Sequence, residues 1–447
     1  MSHNRRKARL ISNLAIVSIG ALVLAGCSSG SSPSSSGSSP SSWKLPDKDP
    51  TATINVLSIL QLKSDGMQPV IDAFEKAHPT ITVKYASVSF DSLNTTLDAR
   101  ISNKSGNPDV YWADQPRIAA MAARGEAEDL TSQLSKFKSA FDPSTYASGV
   151  YNKKLWALPI ANSTQLLYYN KDLLKAAGLT EPSVNPAQRM SWEQLASDAA
   201  KAKAAGAQYG FTFGQVDRYY QLEPLPVSLR GSTGVSGKDN LTPDITSQAW
   251  VDAMTWYGKL FANRTSPKGV AVLQNDPDFL AGKTAYMVEG PWVVPTLLTA
   301  KINWGVALQP KFADGNAVTP AGSWSLAINP FSKEKAAAAI FVKWMAVDGG
   351  SGYIKYRDAP ELAANVQGKK VYFAKSVFSS AEGKKAAAII DYETSNTAVN
   401  RPTTIGYIEF EDIMNRMFAD IRNGADAKKS LENASTELVK AWAKYKK

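Results

Sequence analysis

Aromatic and polar side chains recur in this chain where predicted strands end or loops begin. Its 447 residues include 11 Trp and 17 Tyr. Aromatic rings stack on C–H groups, while carboxylates, amides and guanidinium groups form hydrogen bonds with hydroxyls. Together they suit a small ligand that has both hydroxyl groups and apolar faces. The stacking candidates are Trp112, Tyr219, Tyr220, Trp292 and Trp324, and the hydroxyl-binding candidates are Asp114, Gln115, Asp217, Glu289 and Arg401.

Two further candidates follow the first predicted strand, which runs from Thr53 to Leu60. Gln61 and Lys63 come directly after its last apolar residue. Every candidate also has an ordinary structural alternative: a tryptophan can belong to the core, Arg401 can form a salt bridge, and Glu289 can cap a helix that starts after it.

The elements that must position these side chains alternate between strands and helices. Apolar residues recur at helical spacing from Ser64 to Ala77, and Ser191 with Gln194 forms a capping box that starts another helix. Trp192 and Trp344 lie on helical faces, so we predict them to be core residues. Over residues 51–125, strands that alternate with helices indicate an α/β protein with a mainly parallel sheet covered on both faces.

The first 26 residues have the layout of a secretory signal. Four basic residues and no acid precede an apolar segment at positions 14–25. Leu24-Ala25-Gly26-Cys27 resembles the bacterial lipobox, in which the cysteine receives a diacylglycerol, and Cys27 is the only cysteine of the chain. Two acyl chains are enough for stable membrane anchoring. An ordinary signal peptide, or twin-arginine export through Arg5 and Arg6, remains open.

A flexible segment follows the cysteine. Positions 28–42 contain only Ser, Gly and Pro, so we predict a tether over residues 27–50, and its stretch from 28 to 42 has a reach of roughly 20 Å. The rest is too long for one ordinary core, which favours two domains. Beyond the leader we predict no transmembrane helix. The basic residues are scattered among acidic ones rather than gathered in a stripe, so we expect no nucleic-acid binding.

Five motifs in order give the chain a family resemblance. It resembles the family-1 extracellular solute-binding proteins, the sugar-binding lipoproteins of bacterial ABC importers, over nearly all of residues 51–445. The motifs begin with the Asn-Pro-Asp-Val stretch that precedes Trp112 and end with Asn400-Arg401-Pro402. The motifs are NPDV (107–110) with Trp112 and Asp114, LP (158–159) with YYNKDLL (168–174), SWEQL (191–195), GPW (290–292) and NRP (400–402).

The resemblance implies a protein that folds into two lobes. The implied fold is periplasmic-binding-protein-like, α/β, with a hinge crossed several times and a ligand cleft between the lobes. Lobe 1 would comprise 51–159 plus 317–346, and lobe 2 would comprise 160–316 plus 347–447. The implied protein is a monomer outside the cytoplasm that is anchored to the membrane through Cys27. It would capture a sugar, such as an oligosaccharide or glycoside, by lobe closure and deliver it to the permease of an ABC transporter, with no cofactor, metal or catalytic residue.

The same residues are also compatible with other functions. A carbohydrate-active hydrolase needs two carboxylates about 5–9.5 Å apart, which 40 acidic residues supply by chance. No Gly-x-Ser-x-Gly elbow occurs, and the only histidines are His3 and His78. Polyols and glycerol phosphate esters are also ligands of the family. An adhesion module would show repeats or β-rich domains, which the sequence does not contain.

Overall fold

Two separate β-sheets form the framework of the molecule. The computed structural model describes residues 43–268, 275–322, 324–358 and 361–445. Cys27 and the predicted signal peptide therefore lie outside the described residues. Helices cover both sheets, which gives the two-lobe α/β fold that the sequence predicted.

The five-stranded sheet forms the centre of the first lobe. Its strands, in spatial order, are Ile81–Ser87, Ala52–Ser58, Val110–Asp114, Trp324–Ile328 and Ala157–Pro159. The first three run parallel, and Trp324–Ile328 is antiparallel to both of its neighbours. The register places Trp324 opposite Asp114, so a strand from late in the chain starts where an early strand ends.

The four-stranded sheet forms the centre of the second lobe. Its order is Trp304–Leu308, Leu166–Asn170, Thr284–Glu289 and Tyr209–Phe213. Leu166–Asn170 is antiparallel to both neighbours, and only Thr284–Glu289 with Tyr209–Phe213 is parallel. The mainly parallel sheet predicted from residues 51–125 concerned the first part of the chain, and alternation of helices and strands does not indicate the direction in which the chain enters this second sheet.

Two short strand pairs join the segments that cross between the lobes. Ala161–Asn162 pairs with Leu362–Ala363, and Thr319–Ala321 pairs with Ala398–Asn400. Each pair unites stretches far apart in sequence. The crossing segments are therefore hydrogen-bonded to one another rather than independent linkers. Two further pairs lie elsewhere: Gly234–Ser236 with Thr242–Asp244, and Val150–Tyr151 with Lys154–Leu155.

The helices surround the sheets and differ widely in length. The longest, Tyr407–Asn423, ends at Gly424, whose φ of 112° is the left-handed conformation that glycine adopts readily. The others are Gln68–Ala77, Leu93–Ser102, Ile118–Arg124, Thr131–Leu134, Pro143–Ala147, Lys171–Ala176, Trp192–Ala204, Tyr219–Leu222, Pro224–Ser228, Gln248–Ala262, Asp276–Leu280, Val294–Thr299, Lys335–Ala346, Gly352–Tyr356, Val366–Phe373, Ala381–Asn396 and Ala427–Trp442. Single 3₁₀ turns that matter for the site are Phe90–Ser92, Gln115–Arg117 and Pro291–Val293.

Alternation along the strands divides the apolar side chains between two cores. On Leu166–Asn170, Tyr168 joins a core that continues into the first lobe, and Tyr169 joins the core of the second lobe. The helix Tyr407–Asn423 buries Phe410, Met414 and Phe418 in the second core. Trp192 belongs to the second core and Trp344 to the first, which confirms the prediction that both are core residues.

The segment after residue 346 departs from the predicted lobe boundary. The sequence assigned 347–447 to the second lobe. Tyr353 and Ile354, however, are buried in the first core, and their helix packs on the helices Gln68–Ala77 and Lys335–Ala346. We therefore propose that the first lobe extends through Val366–Phe373 before the chain returns to the second lobe.

The last residues of the predicted tether are docked on the first lobe. The Trp43 indole Nε1 donates a hydrogen bond to Glu128 at 2.9 Å, and the Leu45 amide donates one to Gln133 at 2.9 Å. The sequence placed residues up to 50 in the tether, because this stretch lacks periodicity. A helix long and apolar enough to cross a membrane does not occur among the described residues.

Candidate functional site

A polar and aromatic cleft lies between the two sheets. Its volume is about 320 Å³, within the range of small-molecule sites. Residues of the five-stranded sheet's loops face residues of the helix Tyr407–Asn423 and of the loops after the other sheet. Its lining comprises Phe90, Asp91, Asn94, Thr95, Asp98, Asp114, Arg117, Ser163, Gln215, Arg218, Tyr220, Trp292, Gly322, Trp324, Arg401, Ile408, Glu411, Asp412 and Asn415.

Four aromatic rings contribute the apolar faces of the cleft. Trp292 lies in the 3₁₀ turn that follows the buried strand Thr284–Glu289, and its ring centroid is 6.4 Å from that of Tyr220 at an interplanar angle of 37°. Trp324 starts its strand and meets Phe90 edge to face at 6.0 Å. The rings come in two pairs, one from each lobe, so a flat ligand can be covered from both sides.

A bidentate ion pair crosses the base of the cleft. Arg401 Nη1 donates to Asp114 Oδ2 at 2.8 Å, and Nη2 donates to Asp114 Oδ1 at 2.6 Å. Asp114 ends the strand Val110–Asp114, whereas Arg401 follows the crossing strand Ala398–Asn400. The guanidinium carbon of Arg401 also lies 5.0 Å from the centre of the Tyr220 ring, a cation–π distance. Arg401 therefore joins the first lobe, the crossing segment and an aromatic wall.

Each arginine that lines the cleft is bound by a carboxylate of the same cleft. Arg218 donates to Asp91, Arg117 donates to Glu411, and Arg401 donates to Asp114. Five carboxylate side chains line the cavity against these three guanidinium groups. The cleft is thus acidic in a protein whose formal net charge is +10.

Tyr220 is fixed in place by a serine from the crossing segment. Its hydroxyl lies 2.6 Å from Ser163 Oγ, and Ser163 donates to the Gly322 carbonyl at 2.6 Å. Because that serine proton is committed, the tyrosine is the donor between the two. Burial raises the pKa of Tyr220 to about 12, with Ser163 acting in the opposite direction. Tyr220 therefore stays neutral and presents its ring face.

A glycine lets the crossing chain approach this site closely. Gly322 has φ of +85°, and a Cβ there would lie 2.7 Å from Gln115 Oε1. The positive φ and the close approach to Gln115 both disfavour any residue other than glycine at position 322.

A buried carboxyl group lies behind Arg401. Burial raises the pKa of Glu223 to about 8, and the positive charge of Arg401 and the Tyr219 hydroxyl act in the opposite direction. Glu223 is 0% exposed and does not line the cleft. Below its pKa the group is neutral, so the counter-charge of Arg401 at neutral pH comes from Asp114.

Five of the predicted site residues meet at the cleft. They come from five separate segments, and each lies at a strand end, just beyond one, or in a turn or short helix that follows a strand. They are Asp114, Tyr220, Trp292, Trp324 and Arg401.

Three predicted residues are buried in the protein interior instead. Trp112 is 0% exposed and packs edge to face against Tyr85 and Tyr353, because it lies inside the sheet and not at the end of its strand, where Asp114 lies. Tyr219 packs on Phe410 in the second core. Glu289 ends a fully buried strand. We remove all three from the proposed set of ligand contacts.

The Glu289 carboxylate bonds to the neighbouring backbone and does not line the cleft. Its Oε1 accepts from the Gly290 amide at 2.9 Å. Burial and the nearby Asp276 carboxyl raise its pKa well above the ordinary value.

Four further predicted residues lie away from the cleft lining. Gln61 and Lys63 are exposed in a turn where Asp65 accepts from the Gln61 amide. Asp217 accepts from Arg422 at 3.0 Å. Gln115 is buried, donates to the Ala161 carbonyl at 3.2 Å, and borders a smaller neighbouring cavity of about 100 Å³.

Several lining residues were not predicted from the sequence. Phe90 and Asp91 follow the strand Ile81–Ser87 at the edge where parallel strands end, which is a signal that could have identified them. Arg117 follows the strand Val110–Asp114 at the same distance and carries the same signal, whereas Glu411 lies within the long helix and has none. Within the described part of the chain, no group of three or more His, Cys, Asp or Glu side chains could hold a metal ion.

The comparisons with known proteins agree with this geometry. The family model for bacterial extracellular solute-binding proteins matches residues 62–351. The chain belongs to this family. That stretch contains both sheets except for the first strand, and it contains most of the cleft lining.

Relatives and solved structures cover most of the protein. It is 27% identical over 431 residues to the maltodextrin-binding protein MdxE of Bacillus subtilis (strain 168), covering 94% of this chain and 93% of that one. It is 25% identical over 446 residues to a maltooligosaccharide ABC transporter solute-binding lipoprotein of Streptococcus pneumoniae (strain R6), covering 97% of each. The GacH receptor of Streptomyces glaucescens, solved unliganded and with acarbose, superposes with a TM-score of 0.75 at 24% identity over 88% of this chain and 99% of that one. The last similarity concerns the fold alone.

Proposed function

We propose that this solute-binding protein captures a neutral oligosaccharide between its lobes and delivers it to the permease of an ABC importer. The observation that carries the proposal is the cleft wall, where Trp292 and Tyr220 stand beside the Arg401–Asp114 pair. Aromatic faces cover the C–H surfaces of a sugar ring. The ion pair and its neighbours offer donors and acceptors for hydroxyls.

The names of the relatives support an oligosaccharide as the ligand. MdxE is a maltodextrin-binding protein, the pneumococcal relative belongs to a maltooligosaccharide transporter, and a third relative in Bacillus subtilis is a galactooligosaccharide-binding protein. All three ligands are neutral chains of sugar units. We propose the same class for this protein, with the individual sugar set by the loops around the cleft.

The charges of the cleft disfavour a phosphate ester. A bound phosphate is usually held by arginines with free N–H groups or by a helix N-terminus. Here Arg117, Arg218 and Arg401 are each engaged by a carboxylate, and the lining carboxylates outnumber them. A dianionic ligand would have to break one of these pairs and approach the surplus acids.

The arrangement also favours binding over hydrolysis. Four of the five lining carboxylates, all but Asp98, accept a hydrogen bond from an arginine: Asp91, Asp114, Glu411 and Asp412. A glycosidase needs one carboxyl group free to protonate the leaving group and another free to act on the sugar. We therefore propose a receptor without turnover, which acts as a monomer through lobe closure and needs no cofactor.

A thermal-shift panel tests the proposed function. We expect maltooligosaccharides or related neutral oligosaccharides to raise the melting temperature, since a ligand of the native state adds RT ln(1 + [L]/Kd) to the free energy of unfolding. At a hundredfold excess over Kd this term is about 2.7 kcal/mol. Polyols, glycerol phosphate esters and short peptides serve as controls. Stabilisation by a phosphate ester or peptide, with none by sugars, would contradict the proposal.

We also propose that the mature protein is tethered through a lipid on Cys27. The lipobox motif and the Ser/Gly/Pro segment after it support this location, outside the cytoplasm at the cell membrane. Because Trp43 is docked on the first lobe, the folded part of the chain begins by residue 43.

Replacing the cysteine tests the anchor. Cys27→Ala should release a protein that binds its sugar with unchanged Kd but supports uptake poorly, because the captured ligand is no longer held near the permease. Membrane fractionation and uptake of labelled oligosaccharide measure the two effects. Undiminished membrane retention and uptake would show that the anchor is not at Cys27.

A further inference from the structure

Two arginines of the first lobe face two glutamates of the second lobe along one side of the cleft. Arg117 Nε donates to Glu411 Oε2 at 3.0 Å, and its Nη2 donates to the same oxygen. Arg124 Nη2 donates to Glu409 Oε1 at 3.3 Å. These contacts join the short helix Ile118–Arg124 to the long helix Tyr407–Asn423.

The partners are rigidly attached to opposite lobes. Arg117 ends the 3₁₀ turn that directly follows the strand Val110–Asp114, and Ile118 after it is buried in the first core. Glu411 lies on the long helix between Phe410 and Ile413, which are buried in the second core. A rigid-body opening of the lobes must therefore lengthen the distance between the two charged groups.

The two ion pairs differ in burial. The side chains of Arg117 and Glu411 are 12% and 15% exposed, whereas Arg124 is 32% exposed. Glu409 is also shared with Lys444 of its own lobe at 2.6 Å. Burial opposes the charge of Arg117, yet Glu411 and Asp114 outweigh it and raise its pKa. Since exposed pairs are worth little, the inner pair is the one able to bias the position of the lobes.

We propose that the Arg117–Glu411 ion pair is a latch that favours the closed cleft and so sets ligand affinity. The inference depends on the proposed function, in which closure buries the ligand. The apparent Kd equals the intrinsic Kd divided by the closed fraction, so a latch that raises that fraction tightens binding. It does so without any bond to the ligand.

A double-mutant cycle with charge exchange tests the latch. Arg117→Gln and Glu411→Gln should each weaken oligosaccharide binding about tenfold in calorimetry, the result of a tenfold fall in the closed fraction. The exchanged double variant R117E/E411R should recover affinity to within about threefold of wild type. Small-angle X-ray scattering of the ligand-free proteins should give larger radii of gyration for the single variants than for wild type.

The chain contains a matched control pair. Arg416 lies on the same long helix and donates to Glu437 at 2.6 Å, but both residues belong to the second lobe. Opening of the lobes neither makes nor breaks that pair. Glu437→Gln, which keeps the contact of Arg416 with the lining residue Asp412, should leave both the affinity and the radius of gyration unchanged.

The possible results separate the alternatives. If the single variants lose affinity but R117E/E411R does not recover it, the two residues contact the ligand directly and the latch is overturned. Unchanged affinity, or unchanged radii of gyration in the ligand-free variants, overturns it as well. If wild-type protein binds no saccharide, the proposed function fails, and the scattering comparison still decides whether the pair holds the lobes together.

Discussion

Replacing Arg401 with alanine should weaken oligosaccharide binding by about 2–5 kcal/mol, as for truncating one partner of a buried charge pair. Arg401 is 8% exposed, binds Asp114 through two hydrogen bonds and lies over the Tyr220 ring. Its removal leaves the Asp114 carboxylate in the cleft without its counter-charge. The loss should also lower the free energy of unfolding, because an unpaired, largely buried charge is costly.

The effect of Arg401→Ala on binding must be measured separately from its effect on stability. Arg189 offers a matched control, since it forms a bidentate pair with Glu393 at 2.6 and 3.1 Å and is equally buried, but it does not line the cleft. Arg189→Ala should reduce stability in denaturant unfolding and leave the calorimetric Kd of the folded protein unchanged. Arg401→Lys should give an intermediate affinity, because lysine keeps the charge and loses the planar fork.

The Arg401 prediction has a clear contradicting outcome. If Arg401→Ala loses stability as Arg189→Ala does but binds its sugar with wild-type affinity, the Arg401–Asp114 pair is an interlobe tie only. Other polar residues of the cleft lining would then bind the sugar hydroxyls.

Replacing Trp292 with alanine should weaken binding by about 1–3 kcal/mol, the usual contribution of an aromatic anchor. Trp292 is partly exposed in the cleft and tilted against Tyr220. A sugar ring stacked on it loses its apolar partner in the variant. Trp292→Phe should recover part of the affinity, since a smaller ring still covers part of the sugar face.

A buried tryptophan provides the comparison for Trp292. Trp192 is 1% exposed in the second core, next to Phe213 and Trp256. Trp192→Ala should cost about 3–5 kcal/mol of stability without weakening the affinity of the folded protein. Equal loss of stability in Trp292→Ala with unchanged Kd would place Trp292 in the core and contradict its assignment as a stacking residue. Calorimetry and urea unfolding on the same samples measure both quantities.

Local patterns predicted the parts of the fold that depend on neighbouring residues. The Ser191 hydroxyl does cap its helix by accepting from the Gln194 amide at 3.0 Å. The Gln194 side chain instead donates to Asp198, so the reciprocal half of the predicted capping box is absent from the described contacts at this helix start. Strand direction in the second sheet and the lobe to which residues 347–373 belong depend on tertiary packing, which no local pattern indicates.

The same difference between local patterns and tertiary packing explains which residues of the candidate site could be predicted. Trp292, Trp324 and Asp114 could be predicted because they stand at strand ends, where loops of an α/β fold meet. Trp112 lies only two positions before Asp114 on the same strand, yet it is buried in the core of the first lobe. The Arg117–Glu411 pair depends on how a turn of the first lobe meets the long helix of the second lobe, and no local pattern indicates that Glu411 is the partner of Arg117.

The most direct test of the account is a crystal structure of the protein with the oligosaccharide that stabilises it most in the thermal-shift panel. We predict a sugar ring against Trp292 and hydroxyls within hydrogen-bond distance of Arg401 or Asp114, with Arg117 and Glu411 still paired across the closed cleft. A sugar bound elsewhere, with the cleft between Trp292 and Trp324 empty, would contradict the central claim.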